Sequence, residues 1–375
     1  MKVNVSIIIT ALLIIGVSCE KYDAVDCIPE KNITTTSLIT SEIAEQISMA
    51  VCNTMNENQL IGIQLSIVDS IGEKWSLSMG STDLKQKDQL ENYHVFRIGS
   101  VTKIYTATLV LKLIENGFLQ LDQNLSDFYP SFENAEKIQV KHLLDHSSGI
   151  KDIFSIPSIF ISSSNFPDKK WNPNRLAEEC LQRNPGFEPG SKHAYSNTNF
   201  ILLGLIAEEA TGKKLPELYN EYMFNPLGLE NTFFVPYEPH PVEMSNGYVH
   251  HFALSLSEWY TNKPENTSWS TAGFSAGALA SNASDVSSFT YQLFRENVIT
   301  KESQNAMTNF SGNNGLGLFK INVHGSSYWG HEGEITGFEA ITAYHPEKKA
   351  VISICCNTTP FNIYILIKKI DSILF

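Results

Sequence analysis

The chain has 375 residues, of which 42% are hydrophobic and 18% charged. This apolar content is enough for a large core and excludes an intrinsically disordered protein. Acidic residues outnumber basic ones by 40 to 27, so the chain has no charge-based reason to bind phosphate backbones, and we expect no nucleic-acid partner. The length fits one large domain or two interleaved ones.

Residues 1–18 are predicted to be an export signal. Lys2 precedes an apolar run from Val5 to Val17 that is short for a membrane span and ends in small residues. Cys19 follows, and small residues before a cysteine resemble the site at which bacterial lipoprotein signals are cut and lipidated. We therefore expect an exported lipoprotein of the bacterial cell envelope, periplasmic or on the surface, with no membrane contact beyond its lipid. The alternatives are an uncleaved anchor and an ordinary secretory signal.

The first elements of the folded part are a helix and two strands. Residues 19–40 are expected to form a tether, and apolar residues at four-residue spacing then predict a helix over 42–56. Two strands, Ile61–Val68 and Lys74–Met79, follow and are separated by a tight turn at Ile71-Gly72.

The segment 100–116 is predicted to be a central, buried helix because apolar residues cover most of its circumference. Ser100 and Lys103 lie one turn apart on the same face of its first turn. Burial favours the neutral amine of a lysine, which can accept a proton, and the positive end of the helix dipole favours an oxyanion near Ser100. The pair therefore fits a nucleophile with its base, the alternative being an ordinary helix cap beside an unrelated lysine.

The middle of the chain is rich in helix and loop signals. Further helices are predicted over 139–146, 175–182, 198–211 and 283–295. Tyr195 and Asn197 precede the third of these helices, and in extended backbone their spacing of two places both side chains on one side.

Strand signals return towards the C-terminus. Three strands are predicted, Ser327–His331, Phe338–Tyr344 and Ala350–Cys356, followed by a helix over Ile363–Leu374. His331 and Gly333 lie on or beside the first of these strands, next to glycines at which backbone can approach a ligand closely.

The order of elements predicts an α+β fold. One antiparallel sheet is built from both ends of the chain and flanked by helices, and a mainly helical lobe is inserted between its halves. The domain spans 41–375, with a sheet lobe of 41–95 and 310–375 and a helical lobe of 96–309. We expect the active site between the two lobes.

The cysteines and the remaining histidines do not predict a metal site. Cysteine and histidine spacings match no zinc pattern, and His250-His251 is interpreted as a surface pair. Cys355 and Cys356 lie in an apolar run, so one of them is expected to be a small buried hydrophobe. His146 and His193 are expected to pack or to bond a loop rather than to act as catalytic bases.

Three motifs carry a resemblance to a known family. Ser100-x-x-Lys103, Tyr195-Ser196-Asn197 and His331-Glu332-Gly333 occur in the order seen in the penicillin-recognising serine hydrolases. These comprise class C β-lactamases, D-alanyl-D-alanine carboxypeptidases of the same fold, D-aminopeptidases and related esterases. Connecting segments such as 142–149 are also similar, and the likeness covers about residues 41 to 375.

The resemblance implies a role for each motif residue. Ser100 is the nucleophile that becomes acylated, and Lys103 and Tyr195 share its proton. Asn197 hydrogen-bonds the substrate, and the backbone amides of Ser100 and Glu334 form an oxyanion hole.

The third motif departs from the family pattern at two positions. His331 occupies the place of a frequent lysine and is expected to position Tyr195 or the leaving group, beside Gly333. Glu332 stands where many members carry a hydroxyl residue that helps to bind a substrate carboxylate. If its side chain faces the pocket it would repel a carboxylate and suit an amine-bearing D-peptide, whereas on a strand it can equally point away from His331.

Two functional hypotheses follow. In the first, the protein is a serine hydrolase that cleaves amide or ester bonds of a small-molecule or peptide substrate through an acyl-enzyme, without metal or organic cofactor. In the second, it is a penicillin-binding-like sensor or ligand-binding protein that acylates without efficient turnover. The three intact motifs favour the first, and the sequence predicts no oligomeric state.

Overall fold

The computed structural model describes residues 35–84, 88–132, 134–235, 237–238, 244–250, 259–263 and 266–375. The predicted export signal 1–18, the lipidation site Cys19 and His251 lie outside these residues. No helix among the described residues is both long and apolar enough to cross a bilayer.

Helices make up much of the described chain. In chain order they are α1 (Ser41–Asn58), α2 (Thr102–Glu115), α3 (Val140–Leu144), α4 (Pro157–Asn165), α5 (Pro173–Leu181), α6 (Asn197–Thr211), α7 (Leu215–Tyr219), α8 (Asn225–Leu227), α9 (Ser268–Gly273), α10 (Ala283–Phe294), α11 (Lys301–Met307) and α12 (Tyr364–Leu374).

The strands lie mainly at the two ends of the chain. They are β1 (Gly62–Val68), β2 (Lys74–Asp83), β3 (Asp88–Gln89), β4 (Phe96–Arg97), β5 (Phe233–Phe234), β6 (Gly247–His250), β7 (Trp259–Asn262), β8 (Leu279–Ser281), β9 (Phe319–Val323), β10 (Ser326–Ile335), β11 (Phe338–His345), β12 (Ala350–Cys356) and β13 (Thr358–Thr359).

The largest sheet has seven strands in the order β3-β2-β1-β12-β11-β10-β9. Its neighbours pair antiparallel, and the first strand of the domain meets the last strands at the centre, where Ile63 pairs with Cys356. Strands β1, β11 and β12 are buried along their whole length, as expected for strands covered on both faces. The predicted α+β class and the joining of both chain ends in one antiparallel sheet are confirmed.

Helices cover both faces of this sheet. On the outer face, α1 and α12 pack together over a cluster that includes Leu65 and Ile67 of β1 and Ile341 of β11. On the inner face, α10 packs on β1, β11 and β12, and the Thr290 hydroxyl lies 2.8 Å from that of Thr342. Alternate residues of each strand therefore belong to different faces.

The region between the sheet halves is mainly helical, with α2 and α6 in contact at its centre. Residues Thr198–Ala207 of α6 are all buried. Both helices are apolar around most of their circumference, which is the pattern of a helix surrounded by other elements. α6 ends at Gly212, whose left-handed φ of 70° lets its amide donate to the Glu208 carbonyl at 2.8 Å.

Each predicted helix and strand corresponds to an observed one, but the structure also contains elements that were not predicted, namely helices α4, α7, α8, α9 and α11 and strands β3 to β9 and β13. The strand predicted over Ser327–His331 extends to Ile335 as β10. The helix predicted over 100–116 begins as a 3-10 turn, Gly99–Val101, before α2 starts at Thr102. Strand β9 was not predicted, and it forms one edge of the large sheet. The proposed limits of the two lobes stay predictions.

Candidate active site

Ser100 lies in the 3-10 turn that leads into α2, so it stands at the N-terminal end of a buried helix. Gly99 has a φ of +49°, and a Cβ built on it would lie 2.9 Å from the backbone nitrogen of Glu334. Position 99 therefore requires glycine for two reasons, its left-handed backbone and its close contact with β10. This geometry fixes Ser100 against the third motif.

Lys103 is fully buried on the next turn of the helix, with 0% exposure. Its Nζ lies 2.8 Å from Ser100 Oγ, 2.8 Å from Asn197 Oδ1 and 2.7 Å from the carbonyl oxygen of Ala276. The amine thus has three partners and no contact with a carboxylate among them. A buried lysine without direct ion pairing is held by desolvation close to its neutral form.

Tyr195 and Asn197 join the same group from the start of α6. The hydroxyl of Tyr195 donates to Ser100 Oγ at 2.7 Å, and Lys103 Nζ lies 4.8 Å from the centre of its ring. The residue as a whole is 42% exposed, and its ring centre lies 4.5 Å from that of His146. The predicted grouping of Ser100, Lys103, Tyr195 and Asn197 is therefore present in the structure.

Strand β10 forms the opposite wall. β9 pairs with β10 only as far as Gly330, and beyond that residue the Ser100 turn packs against β10 instead. A Cβ on Gly333 would lie 2.0 Å from the Ile98 carbonyl oxygen and 2.8 Å from the Ser100 amide nitrogen. The close approach places the backbone of Gly333 and Glu334 beside Ser100, where the oxyanion hole is predicted.

The two faces of the sheet settle the orientation of Glu332. It pairs with Ile341, a member of the outer cluster, whereas His331 pairs with the inward-facing Thr342. Glu332 is exposed, and together with burial it raises the pKa of Tyr364 at the start of α12. Of the two orientations open from the sequence, the structure has the one in which Glu332 points away from the site.

His331 is buried, with 2% exposure, and faces the site. Its Nδ1 lies against the carbonyl oxygen of Glu332, which is an acceptor, so Nδ1 carries the ring proton. Its Nε2 has no hydrogen-bond partner within the described part of the chain. Burial and the neighbouring Lys103 lower the pKa of His331 to about 3, so the ring is neutral at physiological pH.

Burial shifts the pKa values of Lys103 and Tyr195 in opposite directions. Burial lowers the pKa of Lys103 to about 7, an effect opposed by the carboxylate of Asp152. Burial raises the pKa of Tyr195 well above its usual range, although its hydrogen bond with Ser100 acts in the opposite direction. At neutral pH, Lys103 is thus the group that exchanges a proton readily, and Tyr195 is a neutral donor.

The two other histidines named in the sequence analysis have packing and loop contacts. His146 Nδ1 accepts from the Ser196 amide at 3.2 Å, and its ring centre lies 4.5 Å from that of Tyr195. His193 Nδ1 lies 3.0 Å from the Asp145 carbonyl oxygen. His146 therefore supports the ring of Tyr195, and His193 ties two loops together.

Sequence reasoning missed two contributors to the site. The carbonyl oxygen of Ala276 belongs to the backbone, so no side chain in the sequence indicates that it contacts Lys103. Asp152 accepts hydrogen bonds from Asn197, a contact between residues 45 positions apart that no local spacing indicates. No group of histidine, cysteine and carboxylate side chains among the described residues is suited to hold a metal ion.

The four cysteines in the described ranges are buried, and Cys180, Cys355 and Cys356 are free thiols. Burial raises the pKa of the Cys355 and Cys356 thiols far above the usual range. Both behave as the small buried hydrophobes expected from the sequence, and neither competes with Ser100 as a nucleophile.

Comparison with known proteins agrees with this geometry. A protein named penicillin-binding protein 4 from Amycolatopsis lactamdurans is 32% identical over 149 residues, 38% of this chain and 37% of that protein. An Escherichia coli K12 protein provisionally named a D-alanyl-D-alanine carboxypeptidase is 27% identical over 230 residues, 55% of this chain and 52% of its own length. The chain thus matches about half, or less, of the length of these curated relatives.

Solved structures share the fold. A D-amino acid amidase from Ochrobactrum anthropi SV3, crystallised with L-phenylalanine amide, superposes with a TM-score of 0.79 at 24% identity and covers 89% of this chain and 98% of its own. The family model described as Beta-lactamase matches residues 47–364, and the chain belongs to that family.

Proposed function

We propose that the protein cleaves an amide or ester bond of a small substrate through an acyl-enzyme on Ser100. The observation that carries the proposal is the set of three partners around Lys103 Nζ, which are Ser100 Oγ, Asn197 Oδ1 and the Ala276 carbonyl oxygen. Two of them are acceptors without a proton, and Ser100 alone among the three has a hydroxyl proton to give.

The three partners also fit the neutral form of Lys103, in which the amine can act as a base. A neutral amine has two N–H bonds and one lone pair, so it donates to Asn197 and Ala276 and turns its lone pair to the hydroxyl of Ser100. When Ser100 Oγ attacks the substrate carbonyl carbon, its proton passes to Lys103. With a pKa of about 7, Lys103 is suited to act as general base at neutral pH.

Tyr195 supplies the proton that the leaving group needs. Its hydroxyl lies 2.7 Å from Ser100 Oγ, so it is beside the bond that breaks when the tetrahedral intermediate collapses. The amine or alcohol leaves with the phenol proton, and the nearby Lys103 ammonium stabilises the phenolate that remains. Water then attacks the ester on Ser100 and the same groups act in reverse order.

Asn197 and the backbone of β10 bind the reacting group. The Asn197 side-chain oxygen accepts from Lys103, and one N–H of its amino group donates to Asp152. The second N–H of that amino group can donate to a substrate carbonyl. The amides of Ser100 and Glu334 would stabilise the oxyanion, supported by the contact of Gly99 and Gly333 with the opposing backbone.

The third motif favours substrates without a terminal carboxylate. His331 is buried and neutral at physiological pH, so it offers a substrate no positive charge, and its unpartnered Nε2 accepts hydrogen bonds rather than donating them. We therefore propose that amides and esters are preferred to peptides that end in a free carboxylate.

A matched substrate panel tests this function. Purified protein and its Ser100→Ala variant are compared on N-acetyl-D-Ala-D-Ala, on the same dipeptide with a C-terminal amide, on D-amino acid amides, on a chromogenic ester and on a chromogenic β-lactam. We expect Ser100-dependent turnover, and a higher kcat/KM for the dipeptide amide than for the free acid. A single labelling event without product would favour the sensor hypothesis. Equal turnover by both proteins would refute the role of Ser100.

We also propose that the mature protein is a lipoprotein anchored through Cys19 in the bacterial cell envelope. The apolar run before Cys19 and the small residues at its end support this proposal. Intact mass spectrometry of the protein from membranes, beside a Cys19→Ser variant, should show the mass of a diacylglycerol and of an acyl chain on the former alone. A chain that begins at Met1, or a lipid-free chain, would contradict the proposal.

A further inference from the structure

Asp152 lies in the loop after α3 and contacts Asn197 at two points. Its Oδ1 accepts from the Asn197 backbone amide at 2.9 Å and from the Asn197 side-chain Nδ2 at 3.1 Å. One carboxylate oxygen thus binds both the backbone amide of Asn197, which is the first of α6, and the side-chain amino group of the same residue.

The contact determines which way the Asn197 amide faces. An ionised carboxylate is an acceptor without protons, so it selects the amino end of the Asn197 side chain. The oxygen end is then directed to Lys103 Nζ, 2.8 Å away. Without Asp152, rotation of the amide would bring its amino group to Lys103, and the amine would lose one of its acceptors.

We propose that Asp152 is a positioning residue for the acylation step, which holds Lys103 on Ser100 by fixing the orientation of the Asn197 amide. The inference rests on the proposed function for its catalytic meaning, although the chain Asp152, Asn197, Lys103, Ser100 is a geometric observation.

Asp152 also sets the charge balance around Lys103. Its carboxylate favours the protonated amine and so opposes the lowering of the Lys103 pKa by burial. The other titratable groups near Lys103 are Tyr195, His146 and His331; burial disfavours the charged form of each. Asp152 is therefore the anion whose removal should lower the Lys103 pKa further.

The experiment must separate positioning from loop stability, because Asp152 also precedes the turn Ile153–Ser155. Asp152→Asn keeps an oxygen that can accept from Asn197 and removes the charge, while Asp152→Ala removes both. Asp145→Asn is the matched control. Asp145 lies in the same loop, and its carboxylate accepts from the Ser147 amide at 2.9 Å, outside the chain of contacts to Ser100.

The first readout does not require a substrate. Lysine labelled with ¹³C at Cε reports the titration of Lys103 by NMR, the signal being assigned by its loss in Lys103→Arg. We expect the midpoint to fall in Asp152→Asn on the order of one pH unit, since an opposite charge at close range shifts a pKa by about that amount or more. In Asp145→Asn the midpoint should stay where it is in the wild type.

The second readout is the rate at which a fluorophosphonate probe labels Ser100 as a function of pH. The acid limb of labelling should move to lower pH in Asp152→Asn, and labelling at its plateau should be about 10-fold slower or more in Asp152→Ala, as for a displaced catalytic group. Equal midpoints in wild type and Asp152→Asn, or equal shifts in the Asp152→Asn and Asp145→Asn proteins, would overturn the inference. If the midpoint shifts as expected but no substrate of the panel is turned over, the inference stands and the proposed function fails.

Discussion

At the scale of single residues, the site depends on a buried lysine that has no carboxylate among its hydrogen-bond partners. Lys103 has 0% exposure, and burial lowers its pKa to about 7. A surface lysine would stay protonated at neutral pH and would have no lone pair to accept the Ser100 proton. The same burial raises the pKa of Tyr195, so one environment produces a base and an acid side by side.

The first prediction concerns the pH dependence of Lys103. In the proposed mechanism the neutral amine is the active form, so kcat/KM for a neutral ester should be low at acidic pH and rise through pH 7, the region of the Lys103 pKa. Lys103→Arg keeps a positive charge that cannot be lost, so kcat/KM should fall about 10²- to 10⁴-fold at pH 8. The measurement is stopped-flow or steady-state ester hydrolysis across pH 5–9. A Lys103→Arg protein with wild-type rates would show that Lys103 is not the base.

Much of the site was predictable at this scale, because its chemistry lies in local motifs. Ser100 and Lys103 share a helix face, and Tyr195 and Asn197 share one side of an extended segment, so short-range spacing places each pair. Asp152 was not predicted, since its contact with Asn197 joins residues 45 positions apart and depends on how two loops pack. The orientation of Glu332 required the pairing register of β10, which sequence alternation alone does not supply.

At the scale of elements, the active site depends on the contact between the Ser100 turn and β10. Within the described ranges, β9 pairs with β10 only as far as Gly330, and beyond it the turn packs against β10. Gly99 and Gly333 make the contact possible, because a Cβ at either position would come within 3 Å of opposing backbone atoms. The backbone of β10, rather than its side chains, thus sets the distance between the nucleophile and the predicted oxyanion hole.

The second prediction tests that contact. In Gly333→Ala the new Cβ would lie 2.0 Å from the Ile98 carbonyl oxygen, so the turn and the strand must separate. We expect kcat to fall on the order of 10²-fold or more, as when an oxyanion donor is lost. Gly186→Ala is the matched control, because the nearest atom to its Cβ would be 3.7 Å away. Comparable kcat values for the two variants would refute the close-contact argument.

The long elements were largely predictable, whereas several short helices and strands, including β9, were not. Long periodic segments such as α6 and α10, and the apolar strands β11 and β12, carry strong patterns. Strand β9 alternates apolar and polar residues, but it has only five residues and lies at the sheet edge, so its sequence lacks the apolar run of a central strand.

At the scale of the whole molecule, the sheet separates two apolar clusters that are expected to have different roles in stability and activity. The inner cluster surrounds α2 and α6 and therefore holds the site. The outer cluster lies between the sheet and the pair α1 and α12, on the opposite face of the sheet from α2 and α6. Stability and activity should consequently respond differently to changes in the two clusters.

The third prediction is that a substitution in the outer cluster lowers stability without changing activity. Ile367 of α12 is fully buried in the outer cluster, so Ile367→Ala should lower the free energy of unfolding by about 2–5 kcal/mol. Ile365, on the same helix, is 36% exposed, and Ile365→Ala should cost less than half as much. Chemical denaturation gives both values, and ester hydrolysis at 25 °C should be unchanged in each folded variant. A large loss of kcat in folded Ile367→Ala would contradict the separation.

The most direct measurement of the central claim is the capture of the covalent intermediate. The protein is mixed with p-nitrophenyl acetate, quenched in acid within the first turnover and digested, and the acylated peptide is identified by mass spectrometry. The account predicts one acetyl group on Ser100 that forms at the rate of the nitrophenolate burst, decays at the steady-state rate and is absent from Ser100→Ala. An acetyl group on a different residue at that rate, or nitrophenolate release without any adduct on Ser100, would contradict it.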